Sequence, residues 1–540
     1  MRVNFQWNKI LIFQIGLLGL FFILGVLSVQ DLSTTYDEMI HYDYGIFMLH
    51  GNTERTGTLG DSNMPFLVFN AFPKRIAELF LPEGSLKSFL MEFNTARYVT
   101  IAFSLLVAML VFHWSRSLYG TVPAFASLLL YIFDPNIIAH SQLVSTDIYA
   151  AGVTTLVFYC TWRFARNRSL MNGVMWFFAL GISQLAKYST IVLFPLAILS
   201  IFIYDLSFSD LSFDAMKKIK HLFVRYLGYF VVGVSVITLF INIGFFFNHT
   251  FTPFGKYEFR SDWFTDLKTN YPVLHSVRVP FPYPYLDGLD WMRDTEQGGK
   301  NSGPVYLLGK LSKPGFPGYY FIASFFKVPI ATQIIIWSAI VIYIMRPDRR
   351  RKFFQDEIFF FAPVIFFSLY LNFFFKTQIG IRYYLIMFPA LYIFCGSLFS
   401  NWEKFRLVQK TVSFALFASL IISVFSYYPN YLTYFNELVW NRNQSYKYLA
   451  DSNLDWGQSS AATAQYLQNH PDAVYGPQEA QAGHLVVGVN HLVGVTEDPA
   501  KYAWLRENFE PVETINNNIL IYKISPEEIA LLCSTTQYCK

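Results

Sequence analysis

Residues 10–41 read ILIFQIGLLGLFFILGVLSVQ (10–30) and then DLSTTYDEMIH (31–41). The stretch from Ile10 to Val29 carries no charge and is long enough to cross a bilayer as a helix. It is too long for a signal peptide, and no small-x-small cleavage site follows it, so it reads as an uncleaved first span. Asp37 and Glu38 stand side by side just where the chain leaves the hydrocarbon. Ionisable groups at a membrane are costly, and by default they are functional. Asp37 and His41 are four apart, so a helix would put them on one face. A carboxylate at the water–lipid boundary is positioned to act as a base on a lipid-borne substrate.

The composition agrees with a membrane chain. Hydrophobic residues make up 54% of the 540 positions, charged residues only 14%, and Phe alone occurs 57 times. Soluble domains carry about 25% charged residues. The net charge of +4 is small, and no basic stripe points to nucleic acid. Runs of near-membrane length recur at 10–30, 97–115, 119–134, 148–164, 170–186, 189–205, 223–247, 328–345, 357–375, 381–400 and 409–427, which is about eleven spans. The fold class expected is an α-helical polytopic membrane protein.

One set of connections is short and basic. It holds Arg116; Arg163, Arg166 and Arg168; Lys217, Lys218, Lys220 and Arg225; Arg346, Arg349, Arg350, Arg351 and Lys352; Lys404, Arg406 and Lys410. Arg2 and Lys9 at the N-terminus join that set. Short basic loops stay cytoplasmic. The segments 31–96, 135–147, 248–327 and 376–380 and the tail then lie outside, and an odd span count satisfies both termini. Residues 31–96 and 248–327 exceed ordinary connectors, and such loops tend to be functional. The second is rich in Pro, Gly and aromatics and reads as a lid, a substrate platform or a plain cap.

The chain divides into a membrane part, 1–428, and an outer part, 429–540. The outer part reads as a small α/β unit: Asn436 to Leu467 mostly helical, His484 to Val495 and Asn518 to Ile524 as strands. No repeat of fixed period is visible. Cys160 and Cys395 lie in spans and read as packing residues. Cys533 and Cys539 lie in the outer tail, where an oxidising compartment permits a disulfide.

Topology brings a select group of charges to the outer boundary. Asp37, Glu38 and Asp147 are the candidate catalytic residues. His41, His140, Lys187 and Arg382 are candidates for binding substrate, with Lys327 and Lys376 read first as interfacial anchors. Carboxylates can handle a hydroxyl proton or a cation, while Lys and Arg suit a phosphate. Each has a plainer reading. Asp37 and Asp147 suit helix caps, His41 a structural histidine, and Lys187 and Arg382 snorkelling anchors. No HExxH, CxxC or Asp-x-Asp pattern appears, so no cofactor is required, although a divalent cation stays open. No Walker loop or Rossmann glycine pattern points to a soluble nucleotide donor.

Several of these stretches resemble the GT-C glycosyltransferases of the protein O-mannosyltransferase type, glycosyltransferase family 39. They resemble the bacterial phospholipid carrier-dependent glycosyltransferases more closely. The stretches are Tyr36-Asp37-Glu38 with His41, Asp134-Pro135-Asn136 through His140 to Ser145-Thr146-Asp147, and Ala186-Lys187-Tyr188-Ser189. Ile379-Gly380-Ile381-Arg382-Tyr383-Tyr384, the tail turn Asp451 to Gln458, and Tyr502-Ala503-Trp504-Leu505 through Glu510-Pro511 complete the set. The resemblance implies a polyprenyl-phosphate sugar donor and inverting transfer to an acceptor hydroxyl on the extracytoplasmic face, in a bacterial inner membrane. It matches Asp37 and Asp147 to acidic catalytic positions, and Lys187 and Arg382 to the donor phosphate. The tail does not read as the β-trefoil MIR domain of the eukaryotic mannosyltransferases, so the acceptor stays open among protein, glycan and lipid. A transporter or flippase of a lipid-linked sugar is the alternative, against which the missing repeat and the long outer loops count.

Overall fold

Prolines and buried polar caps decide where the apolar runs turn. The computed structural model describes residues 2–53, 63–207, 215–298, 303–347 and 353–539. Lys217, Lys218 and Lys220 have no described side chains, and Arg349, Arg350, Arg351 and Lys352 lie outside the described residues, as does the side chain of Arg2. Each predicted apolar run is helical. Among the described residues seven helices are long and apolar enough to cross a membrane, or up to nine if two sharply bent pairs each count as one. The predicted count of eleven is therefore not confirmed. The 14-residue Leu170–Ser183 helix is apolar but shorter than those seven.

The first bent pair joins Thr121–Ile132 to Pro135–Ser141 at 61°. Pro135 lacks an N–H and pushes the preceding residue out of the helical region. Asp134 is accordingly extended, and its carboxylate caps the new helix by accepting from the N–H groups of Asn136 (2.7 Å) and Ile137 (2.9 Å). Tyr392 donates to its second oxygen. The second pair, Tyr319–Lys327 and Ile330–Met345, bends by 119° at Val328-Pro329.

The helices sort by burial. Leu407–Phe425 and Lys9–Val29 leave large apolar side chains exposed, as lipid-facing helices do, whereas Ile381–Phe399 is almost wholly enclosed. Asp147–Arg166 is also buried along most of its length. It carries Asp147 at one end and Arg163 and Arg166 at the other, about 30 Å apart at 1.5 Å per residue. At the basic end Arg166 pairs with Asp356 (3.0 Å) and Arg168 with Asp205 (2.6 Å).

The long loop 31–96 contains the helices Glu38–Leu49, Val68–Phe80 and Ser85–Met91. The 248–327 loop builds a small core of its own around Phe254, Tyr257, Phe264, Val279 and Leu286. The tail holds a four-stranded mixed sheet. Gly483–Gly488 pairs antiparallel with Ile519–Ile524 and parallel with Ala473–Tyr475, and Glu513–Ile515 forms the far edge. One sheet face packs Val486, Ile519 and Ile521 under Tyr466 and Leu467; the other sends Leu485, Val487, Leu520 and Tyr522 into the core shared with the bundle. Cys533 and Cys539 form a disulfide.

Three local expectations shift. Residues 436–467 are mostly turns, with an α-helix only at Ser460–Asn469. The cause is side-chain competition for backbone donors: Asn441, Asp451 and Asp455 each accept a backbone N–H one or two residues ahead. The strand expected over His484–Val495 stops at Gly488 and turns into the short helix Val489–Val493. Lys327 is not an interfacial anchor but is buried, its ammonium donating to the carbonyls of Leu432 (2.8 Å) and Asn453 (2.7 Å). Lys376 is exposed.

Candidate active site

The site is assembled on a grip around one residue. Glu38 opens its helix one residue after Asp37, and its carboxylate is fully engaged. It accepts the N–H groups of Thr35 (2.8 Å) and Val144 (2.9 Å) and a two-pronged contact from Arg97 through Nε (2.9 Å) and Nη2 (2.6 Å). Both members of that ion pair are 1% exposed. His41, one helical turn on, binds the Val144 carbonyl through Nδ1 (2.9 Å). Glu38 and His41 thus hold both the N–H and the carbonyl of Val144 and fasten the 142–146 turn, which leads straight into Asp147. Arg97 also donates to the carbonyls of Leu32 (3.0 Å) and Ser33 (2.8 Å), fixing the exit of the first span. In this geometry Glu38 and His41 are occupied as structural ties and do not face a substrate with a free polar atom of their carboxylate or Nδ1.

Asp37 is different. It occupies the cap position of that helix without making a side-chain cap bond. Its carboxylate, 26% exposed, meets Arg382 Nη1 at 3.1 Å. The Asp37 carbonyl accepts the His41 N–H (3.1 Å), the helical spacing expected, but the side chains part: His41 joins Glu38 on Val144 while the Asp37 carboxylate turns to Arg382. Asp147 opens its own helix, and its Oδ1 accepts from Lys187 Nζ at 2.6 Å. Burial pushes the Lys187 ammonium pKa down, and the Asp147 carboxylate opposes that shift. Two carboxylate–cation pairs therefore sit at the same end of the bundle.

Arg382 is carried by a tight turn. Gly380 has φ +87°, and a Cβ there would stand 2.5 Å from Ser452 Oγ, so the tail can approach only because glycine is present. Asn453 Oδ1 accepts the Ile381 N–H (2.9 Å). The same tail turn pairs with the segment after the first span, where Ser33 N–H donates to the Gln458 carbonyl and Tyr36 N–H to the Trp456 carbonyl, each at 3.0 Å. The turn 451–458 thereby joins three regions far apart in sequence.

Three residues of the site carried no role in the sequence reading. Trp456 lays its ring 4.0 Å from the Arg382 guanidinium. Tyr383 has the Lys187 ammonium 4.3 Å and the Arg382 guanidinium 5.3 Å from its ring centre. Asp451 adopts φ +57°, and burial raises its carboxyl pKa to about 6. The signal available in the sequence is a dense polar turn with one Trp, Asp451 to Gln458, in a tail that reads as a small outer α/β unit. His140 is buried with its ring 6.1 Å from that of Trp456, and its Nδ1 has no hydrogen-bond partner among the described residues. No group of three or more His, Cys, Asp or Glu able to hold a metal ion is found among the described residues.

The fold and this charge-lined site define a multi-pass helical membrane protein with a polar centre at one end of the bundle. Residues 65–249 match the family model for dolichyl-phosphate-mannose-protein mannosyltransferase, which bears out over that stretch the resemblance drawn from the motifs. The matched stretch contains His140, Asp147 and Lys187; Asp37, Arg382 and Trp456 lie beyond it. No curated protein sequence matches the chain. Among solved structures the chain is similar to ArnT from Cupriavidus metallidurans bound to undecaprenyl phosphate. The identity is 12% and the TM-score 0.45, with 94% of this chain and 97% of that one covered. It is also similar to the Archaeoglobus fulgidus oligosaccharyltransferase in the apo form, at 13% identity and TM-score 0.48, over 85% of this chain and 58% of that one. The same archaeal enzyme, AglB, in complex with an inhibitory peptide and a dolichol-phosphate, aligns with TM-score 0.44 at 13% identity, over 85% and 58%.

Proposed function

We propose that the chain is a GT-C-type glycosyltransferase that moves a sugar from a polyprenyl-phosphate carrier to an acceptor hydroxyl, with inversion at the anomeric carbon. The observation that carries this reading is the convergence of two carboxylate–cation pairs, Asp37 with Arg382 and Asp147 with Lys187, at one end of a membrane bundle. The family match supports it.

A carrier-linked sugar keeps its chain in the bilayer and its phosphate at the surface. Arg382 and Lys187 hold that phosphate and offset the charge that develops as it leaves. The phosphate competes with Asp37 for the Arg382 guanidinium, so donor binding releases a carboxylate beside the reacting carbon. Asp37 then accepts the proton of the attacking hydroxyl, a role worth about 10²–10⁴-fold in rate. Asp147 keeps Lys187 charged and aimed, and His140 lines the donor side with its free Nδ1. The reaction runs on the extracytoplasmic face, with the N-terminus inside, the C-terminus outside and the protein in a bacterial inner membrane. The acceptor belongs to the cell envelope, as protein, glycan or lipid.

The test is a titration with undecaprenyl phosphate. Lys187→Met and Arg382→Met are each expected to weaken its binding about tenfold or more, given about 1.5–3 kcal/mol for a hydrogen bond to a charged group. Unchanged affinity in both variants would make the two residues interfacial anchors and sink the reading.

A further inference from the structure

We infer that the aromatic rings of Tyr383 and Trp456 are positioning residues that hold the two donor-site cations in place, which makes the outer tail part of the donor site. The inference rests on the reading that Lys187 and Arg382 bind the donor phosphate.

Two like charges aimed at one phosphate repel each other before the phosphate arrives. Each has its own carboxylate, but a carboxylate contact fixes only one atom of a long, flexible side chain. Arg382 Nε also donates to the Ile379 carbonyl (3.3 Å), and Tyr383 supplies a further contact to both cations: its ring centre is 4.3 Å from Lys187 Nζ and 5.3 Å from the Arg382 guanidinium carbon. The negative face of one ring thus serves two cations. Trp456 adds a ring contact to Arg382 at 4.0 Å. A planar guanidinium stacks well on an indole, and the stack fixes the plane in which its donors fan out.

Trp456 is well held without its ring. Its N–H donates to Gln458 Oε1 (2.7 Å) and its carbonyl accepts from Tyr36 (3.0 Å). The turn around it is tied to Ile381 through Asn453 and to Ser33 through Gln458. Removing the indole leaves these backbone ties intact, so the side chain is free to serve the site. The tail is in this respect no appendage: it delivers one face of the phosphate-binding cation.

The experiment titrates the full-length protein in detergent with undecaprenyl phosphate. Trp456→Leu and Tyr383→Leu are each expected to raise the dissociation constant about tenfold, from cation–π contacts of about 1–2 kcal/mol at desolvated sites. Trp456→Phe and Tyr383→Phe are expected to recover most of that loss, since the ring and not the polar atom is what acts. A second arm introduces 5-fluoro- and then 5,7-difluorotryptophan at position 456 alone. Fluorine drains the ring face with little change of shape, so affinity is expected to fall stepwise while the melting temperature holds. A merely structural indole would leave affinity flat across that series, and this result would overturn the inference. Affinity that falls in Arg382→Met and Lys187→Met but stays unchanged in both Leu variants also overturns it, leaving the donor reading intact. Affinity unchanged in the two Met variants as well removes the donor reading itself.

Discussion

Asp37 and Glu38 are neighbours in sequence, yet their surroundings assign them opposite tasks. Among the described residues the Asp37 carboxylate has one partner, Arg382, and it is partly open. Asp37→Asn keeps the shape and removes the proton-accepting charge, so turnover is expected to fall by about 10²–10⁴-fold while undecaprenyl phosphate still binds. A single-turnover sugar-transfer assay beside a binding titration checks this. Glu38 is closed on every side. Glu38→Gln leaves the buried Arg97 without its counter-charge, a loss of about 3–5 kcal/mol for breaking such a pair. A fall in melting temperature is expected, and Arg97→Met added to Glu38→Gln should recover part of it. Asp451 gives a pH signature. Its folded pKa of about 6 lies above the unfolded value of about 3.9, so the folded state holds the proton more tightly between those limits. The contribution of Asp451 to stability is most favourable below pH 4, declines as pH rises, and carries its full cost above pH 6. Asn tolerates the left-handed backbone at this position. Asp451→Asn is therefore expected to melt higher than the parent at pH 7 and to lose that part of the pH slope, as thermal unfolding across pH 4–8 would show.

Among the elements, the turns contribute more to the site than the helices that carry them. Gly380 lets the 451–458 turn close on the 379–382 turn. Gly380→Ala adds a backbone strain of about 1–3 kcal/mol, since φ +87° with ψ 169° is open essentially to glycine alone, and a clash with Ser452. It is expected to lower the melting temperature and to weaken undecaprenyl phosphate binding together, because Arg382 loses its support two residues on. If binding is unchanged while stability drops, the turn is scaffolding alone. The break at Asp134-Pro135 works in the same way: it ends one span early and turns seven residues back into the core, leading to His140 and the Val144 turn. In the sequence, Pro135 and the loop after it are visible, but the run 119–134 reads as a span. The depth to which the short helix folds back depends on Tyr392 and Lys327, contributed from elsewhere.

For the whole molecule, the proposed orientation follows from the separation of the basic loops from the acidic site along helices such as Asp147–Arg166. An impermeant thiol reagent applied to intact cells after reduction is expected to label Cys533 or Cys539 and to spare the buried Cys160 and Cys395. Labelling of the tail only after lysis would put it in the cytoplasm and remove the outer plane from the mechanism. The site residues come from five regions: the exit of the first span, the start of the Asp147 helix, the turn at Lys187, the 379–383 turn and the tail. The family match over 65–249 takes in Asp147 and Lys187, while Asp37 and Arg382 lie beyond it.

The helical, multi-pass class and the boundaries of most spans were determined by the sequence itself, because hydrocarbon demands unbroken apolar length and hydrogen-bonded backbone. Topology also sufficed to bring Asp37, Asp147, Lys187 and Arg382 to one level, since charges at span ends have nowhere else to go. Which carboxylate is free and which is locked was decided only by the tertiary structure. That depends on Arg97 and the Val144 peptide, which lie 59 and 106 residues from Glu38. The parts taken by Tyr383, Asp451 and Trp456 were likewise out of reach of periodicity, because a ring or a carboxylate acquires its role from the charge it is folded against.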